Sequence, residues 1–195
     1  MVKVTKEAAQ KTRQDLVRVA GQTMRAHGVA AASVANIAAE AGLTHGAIYR
    51  HFGSKEEIAA AAITADFDTI LALFDTIRAR GGGLADYYRA YLASDHRDHF
   101  VWGCPVAPLA AEIGRVAGPV QAAFAEGLVR NLAAIADLSG IGDSAEARAY
   151  AIQALAMLSG AMAMARATRS SDPDTSRLIL DTALAALLSD PRLAR

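Results

Sequence analysis

The sequence predicts an all-α protein, on three observations. Alanine, the strongest helix former, fills 46 of the 195 positions. The five prolines all follow residue 104, so no proline interrupts a helix in the first half. Apolar residues recur at spacings of three and four, and no run alternates with the period of two that a half-buried strand needs.

Nine helices follow in chain order. The first spans 5–27, with Ala9, Leu16, Val17, Ala20 and Met24 on its inner face and Lys6, Lys11, Arg13, Arg18 and Arg25 largely outside it; Gly28 ends it. Short helices follow at 33–40 and from Thr44. A long one from Ser54 reaches 79 on a stripe that includes Ile58, Ile63, Ile70 and Ile77, until Arg80-Gly81-Gly82-Gly83 breaks it. Residues 84–94 carry Tyr87, Tyr88 and Tyr91 in a fifth helix. Residues 95–108 read as irregular chain, then a short helix spans 107–114. Pro119 opens a helix to 138, as proline does in a first turn. Asp143 and Glu146 form a capping box for a helix to 169, and Asp172-Pro173 opens the last, to 188.

The densest chemistry lies between Ser33 and Glu57. Ser33 suits an N-cap, Ile37, Ala38 and Ala41 share one face, and Gly42 can end the helix in a left-handed conformation. Leu43 plugs the turn. Thr44 can cap a second helix that turns Ala47 and Ile48 inward. This is the helix-turn-helix pattern, whose second helix is shaped for the DNA major groove. A plain αα-hairpin would share the small residues but not Tyr49, Arg50 and His51, which can reach phosphate or base edges. Ser54 and Glu57 form a capping box. Lys55 then sits in a first turn, where the helix dipole disfavours a cation, so an anionic partner such as phosphate is expected there.

Ile37-Ala38, Ala41-Gly42-Leu43, Ile48-Tyr49, His51-Phe52 and Ser54-Lys55-Glu56-Glu57 together resemble the tetracycline-repressor (TetR) family of bacterial transcriptional regulators. The resemblance covers the first third of the chain closely and agrees with the rest in length and helix count. It implies a nine-helix fold: a DNA-binding head at residues 1–57 and an effector-binding and dimerisation domain at 58–195. Groove contacts are expected from Thr44, His45, Gly46, Tyr49 and Arg50, and phosphate contacts from Ser33, His51 and Lys55. An inducer cavity is also implied, with Phe67, Phe74, Tyr88, Tyr91, Trp102, Cys104, Phe124 and Met157 as candidate lining. The last two helices, rich in Ala, Gly, Met and Leu, resemble the family's homodimer interface. The expected function is a repressor of operator double-stranded DNA, released by a small apolar or electrophilic effector.

His96, His99 and Cys104 hold metal-ligand and nucleophile chemistry close together in sequence. A zinc site lacks a fourth ligand, and a Cys–His nucleophile lacks an orienting group and an oxyanion donor. A small cytosolic Cys–His enzyme with a merely structural hairpin is the rival reading. Gly103-Cys104-Pro105-Val106 resembles a segment of one branch of TetR-like regulators, some of which sense electrophiles through cysteine. A helix starting nearby could lower the thiol pKa, whereas an ordinary free cysteine is a small buried hydrophobe. No cofactor fingerprint is present.

Net charge is zero, but residues 1–57 hold eight Lys/Arg against five Asp/Glu, and residues 58–195 hold twelve against fifteen. A basic head on an acidic body suits DNA binding at one end. A single cysteine permits no internal disulfide, and neither a signal peptide nor a membrane span is legible, so a reducing cytoplasm is expected.

Overall fold

The computed structural model describes residues 6–99, 103–142 and 144–194. Among them are ten α-helices and no strand. They are α1 (Lys6–His27), α2 (Val34–Glu40), α3 (His45–Ile48), α4 (Lys55–Ala79), α5 (Leu84–Tyr91), α6 (Ser94–Asp98), α7 (Val106–Ile113), α8 (Pro119–Leu138), α9 (Ser144–Thr168) and α10 (Pro173–Leu188). A 3-10 turn, Pro191–Ala194, follows. The one helix beyond the nine expected is α6, in the stretch read as irregular. Its polar sequence has no apolar period. Its end is held instead by Arg166 of α9, which donates to the carbonyls of His96 at 2.7 Å and Arg97 at 3.2 Å. A cation at a helix C-terminus is favoured by the dipole and satisfies orphan carbonyls.

The helix starts follow local chemistry. Asp172 accepts from the Thr175 amide at 3.0 Å, and Pro173 takes the first position of α10. At α4, Ser54 accepts from the Glu57 amide at 3.1 Å, while the Glu57 carboxylate reaches the Gly53 amide at 2.6 Å. The reciprocal bond therefore lands one residue earlier than a capping box would place it. Asp143 lies outside the described residues.

The core runs unbroken from head to body. Leu16, Ala20 and Met24 of α1 are buried in one cluster with Ile58, Ala62 and Ile63 of α4. Of these, Leu16, Met24, Ile58 and Ile63 contribute about 1.5–3 kcal/mol each by their burial. Arg25, expected outside, is also buried: it pairs with Asp66 of α4, and this ion pair ties α1 to α4. Further along, α4 packs along α8. The two axes come close because α8 offers Gly127 there; a Cβ at that position would fall 2.0 Å from the Phe67 ring. Phe67 meets Phe124 edge to face at 5.6 Å. The Tyr88 and Tyr150 hydroxyls, 2.7 Å apart, link α5 to α9, and α9 packs on α8 and α10. No helix among the described residues is long and apolar enough to cross a membrane.

Candidate nucleic-acid interface and effector cavity

The turn between α2 and α3 is set by a few residues. Ser33 accepts from the Asn36 amide at 3.1 Å and starts α2. At the other end Gly42 adopts φ +66°, the left-handed region that glycine enters without steric cost. Its amide donates to the Ala39 carbonyl at 3.1 Å and that of Leu43 to the Ala38 carbonyl at 2.8 Å. These are the two bonds of a Schellman termination. Ile37 and Ala38 of α2 and Ala47 and Ile48 of α3 are buried, and Phe52 closes the small core beneath.

That inward packing leaves the opposite face of α3 outside. Thr44, His45, Gly46, Tyr49 and Arg50 are all exposed. Tyr49 is 51% exposed, with its ring 5.4 Å from that of His45. Thr44 makes no side-chain cap bond, contrary to the expectation that it caps α3, so its hydroxyl belongs to the exposed face. Ser33 is half-buried with its oxygen engaged at the cap, and His51 is half-buried after α3. Lys55 stands at the start of α4 with Nζ 3.5 Å from the Ala30 carbonyl, a long contact. The five groove candidates are thus exposed in and beside α3, while Ser33 stands at the start of α2, His51 shortly after α3 and Lys55 at the start of α4.

In the body, a cavity of about 490 Å³ opens between α4, α5, α6 and the start of α7. Ile70 and Leu73, Tyr87 and Tyr91, His96, and Cys104 line it, with Asp95 and His99 also on the wall. Two of the eight lining candidates, Tyr91 and Cys104, belong to it. Phe67, Phe74, Tyr88 and Phe124 do not: they fill the core, with Phe74 against Tyr87 at 4.5 Å and Tyr88 bonded to Tyr150. Met157 lies on the outer face of α9, in a separate groove of about 550 Å³ against α10, while Ala154, Leu158 and Met162 fill the inner stripe of α9. Trp102 lies outside the described residues.

His96 is not the solvated loop residue expected. Its Nδ1 is 2.6 Å from the Tyr91 carbonyl, which only accepts, so Nδ1 carries the proton. Burial pulls its pKa below the ordinary imidazole value, and the ring stays neutral beside that of Tyr91. Cys104 follows the buried-hydrophobe alternative rather than the low-pKa one. Burial, the dominant cause, pushes the thiol up to about 11, while bonds from the Val106 backbone and the Tyr91 hydroxyl only partly offset it. A neutral thiol is a poor nucleophile, so the wall offers packing rather than thiolate chemistry. Among the described residues no three His, Cys, Asp or Glu side chains gather as a metal site.

Tyr91 was legible in the sequence as lining, whereas His96, read as a polar loop residue, was not. Ile70 and Leu73 carried no signal distinguishing them from the core stripe of α4.

The family model described as bacterial regulatory proteins, tetR family, matches residues 16–62. The model described as transcriptional regulator LmrA/YxaF-like, C-terminal domain, matches residues 84–173. Among curated relatives, the HTH-type transcriptional regulator TtgR of Pseudomonas putida is 42% identical over 69 residues, 35% of this chain and 33% of that protein. AcrR of Shigella flexneri, also an HTH-type transcriptional regulator, is 43% identical over 58 residues, 30% of this chain and 27% of that protein. The matches thus span about a third of the length of these relatives. Among solved structures, the reduced form of E. coli NemR superposes with a TM-score of 0.77 at 21% identity, covering 91% of this chain and 95% of that one. A TetR transcriptional regulator from Chloroflexus aurantiacus gives 0.72 at 26% identity, covering 93% and 94%.

Proposed function

This chain belongs to the TetR family of bacterial regulatory proteins, and from that premise we propose that it is a cytoplasmic, homodimeric transcriptional repressor of operator double-stranded DNA. The observation that carries the reading is the exposed face of α3, polar and aromatic over a buried Ala47-Ile48 floor. In the major groove, Thr44, His45, Gly46, Tyr49 and Arg50 meet base edges, while Ser33, His51 and Lys55 meet phosphate. The head is residues 1–57 and the body 58–195, with α4 shared by both.

A small, uncharged, largely apolar effector occupies the cavity at Tyr91 and Cys104. No Lys or Arg lines that cavity among the described residues, so an anion would be buried there without a partner. The effector acts by favouring a head spacing unsuited to DNA. The buried neutral thiol favours this route over electrophile capture, and over the rival Cys–His enzyme. The second copy covers the outer face of α9 and α10, where Met157, Met164 and Leu178 are exposed to 42%, 55% and 65%. Ala156 and Gly160 between them let a partner helix approach.

The test is a mobility shift and footprint on the DNA flanking the protein's own gene. A protected inverted repeat with half-sites about one helical turn apart is expected. Binding that is uniform in sequence, or absent, sinks the proposal.

A further inference from the structure

Glu112 stands one residue from the end of α7, and its carboxylate crosses to the turn after α1. It accepts a hydrogen bond from the Val29 amide at 2.8 Å. The turn is shaped around it. Gly28 has φ +88°, and a Cβ there would lie 2.7 and 2.9 Å from the two carboxylate oxygens. A carboxylate beside the C-terminal end of a helix opposes the dipole, so capping α1 does not account for its position. Arg25, His27 and Arg166 border the same niche.

The opposite end of α7 is the cavity wall. Gly103 and Cys104 line the cavity, and α7 begins at Val106. Its eight residues span about 12 Å. Val106, Leu109 and Ile113 bury its inner face, which ties the helix to the core along its length. A shift of the wall at Cys104 therefore arrives at Glu112 through one short rigid element. Val29 in turn lies five residues before the start of α2, and its neighbour Ala30 is the residue whose carbonyl faces Lys55.

We propose that Glu112 is a positioning residue that couples the cavity to the DNA-binding head. Its bond to Val29 fixes the α1–α2 turn, and with it the tilt of α2 and α3, to the position of α7. A molecule that pushes on the wall at Cys104 displaces α7, and Glu112 carries that displacement into the head. The inference rests on the effector-cavity reading above.

The experiment uses tethered occupants in place of an effector. Ala93, half-buried on the cavity wall, is changed to Trp; Leu73→Trp does the same from α4. Affinity for the footprinted duplex is measured by anisotropy for each, alone and combined with Glu112→Ala or Glu112→Gln. Circular dichroism confirms that each variant folds. Ala93→Trp is expected to weaken binding by about tenfold in the wild-type background, within the usual range of coupling between sites. In the Glu112→Ala background the loss should shrink below about twofold. Glu112→Gln, whose amide oxygen still accepts from Val29, should restore it. Hydrogen exchange at the Val29 amide should be slow in wild type and Glu112→Gln, and fast in Glu112→Ala. Equal losses in the wild-type and Glu112→Ala backgrounds overturn the proposal while leaving the cavity reading intact. If neither Trp variant alters affinity in any background, the cavity reading itself falls and takes the proposal with it.

Discussion

Replacing Tyr150 with Phe removes one hydroxyl from a fully enclosed pair. The Tyr88 and Tyr150 oxygens lie 2.7 Å apart, and both residues are buried to within 1% of complete. The surviving Tyr88 hydroxyl then loses its described partner. An unsatisfied buried hydroxyl costs about 1–3 kcal/mol, and each kcal/mol lowers Tm by about 2–4 °C in a chain of this size. A fall of roughly 2–12 °C is expected for Tyr150→Phe, and similarly for Tyr88→Phe. The double variant removes both polar groups and keeps both rings, including the Tyr150 face on which Arg192 sits at 4.7 Å. Its loss should be smaller than either single loss, because two apolar edges of matching shape replace a bonded pair. Thermal unfolding of the four proteins followed by circular dichroism measures the cycle. Additive losses in the double variant refute the reasoning, since they mean that each hydroxyl is satisfied independently of the other.

Lys55→Ala should weaken DNA binding on every sequence and make the salt slope shallower by about one unit; an unchanged slope removes Lys55 from the phosphate contacts. Tyr49→Ala should weaken specific binding and leave Tm unchanged, because the side chain is half in solvent; a large fall in Tm would make Tyr49 a packing residue. Met157→Glu or Gly160→Glu should convert dimers to monomers in sedimentation, since an unpaired buried charge costs several kcal/mol; a dimer that persists in both moves the interface elsewhere. Asp66 gives a pH dependence. Burial pushes its carboxyl from 3.8 up to about 6 against the pull of Arg25. The folded state then holds that proton more tightly than the unfolded chain, so this group's contribution is most favourable below about pH 4 and declines as pH rises towards 6, by up to about 3 kcal/mol. Tm measured against pH should show that decline in wild type and lack it in Asp66→Asn; parallel curves contradict it.

What the sequence made legible was local. Ser33, Gly42 and Ser54 act on amides and carbonyls within three to five residues, and each behaves as its chemistry dictates. The helix-turn-helix was readable for that reason, and so was its exposed face once Ala47 and Ile48 were placed inside. Thr44 shows the limit even there, since a residue able to cap did not. The illegible features depend on distant partners. α6 is terminated by Arg166, 70 residues on from His96. Arg25 is drawn inside by Asp66. Glu112 reaches Val29 across 83 residues. The cavity wall was misjudged on the same grounds. Aromatic residues were expected to surround it, but Phe67 and Phe124 found each other instead, and Ile70, Leu73 and His96 were left facing the opening.

The 25 residues of α4 form one uninterrupted rod, about 37 Å from end to end. Arithmetic on such a rod is unforgiving. Pivoting it by about 5° at the body moves its far tip by roughly 3 Å, close to the rise of one base pair. In a symmetric pair the two tips move oppositely, so the misfit against a rigid duplex doubles to roughly 6 Å. Hydrogen bonds fail within less than about 1 Å of stretch. If the body end of α4 turns by that amount in the dimer proposed above, both heads move past hydrogen-bond reach, and the amplification lies in the length of one helix.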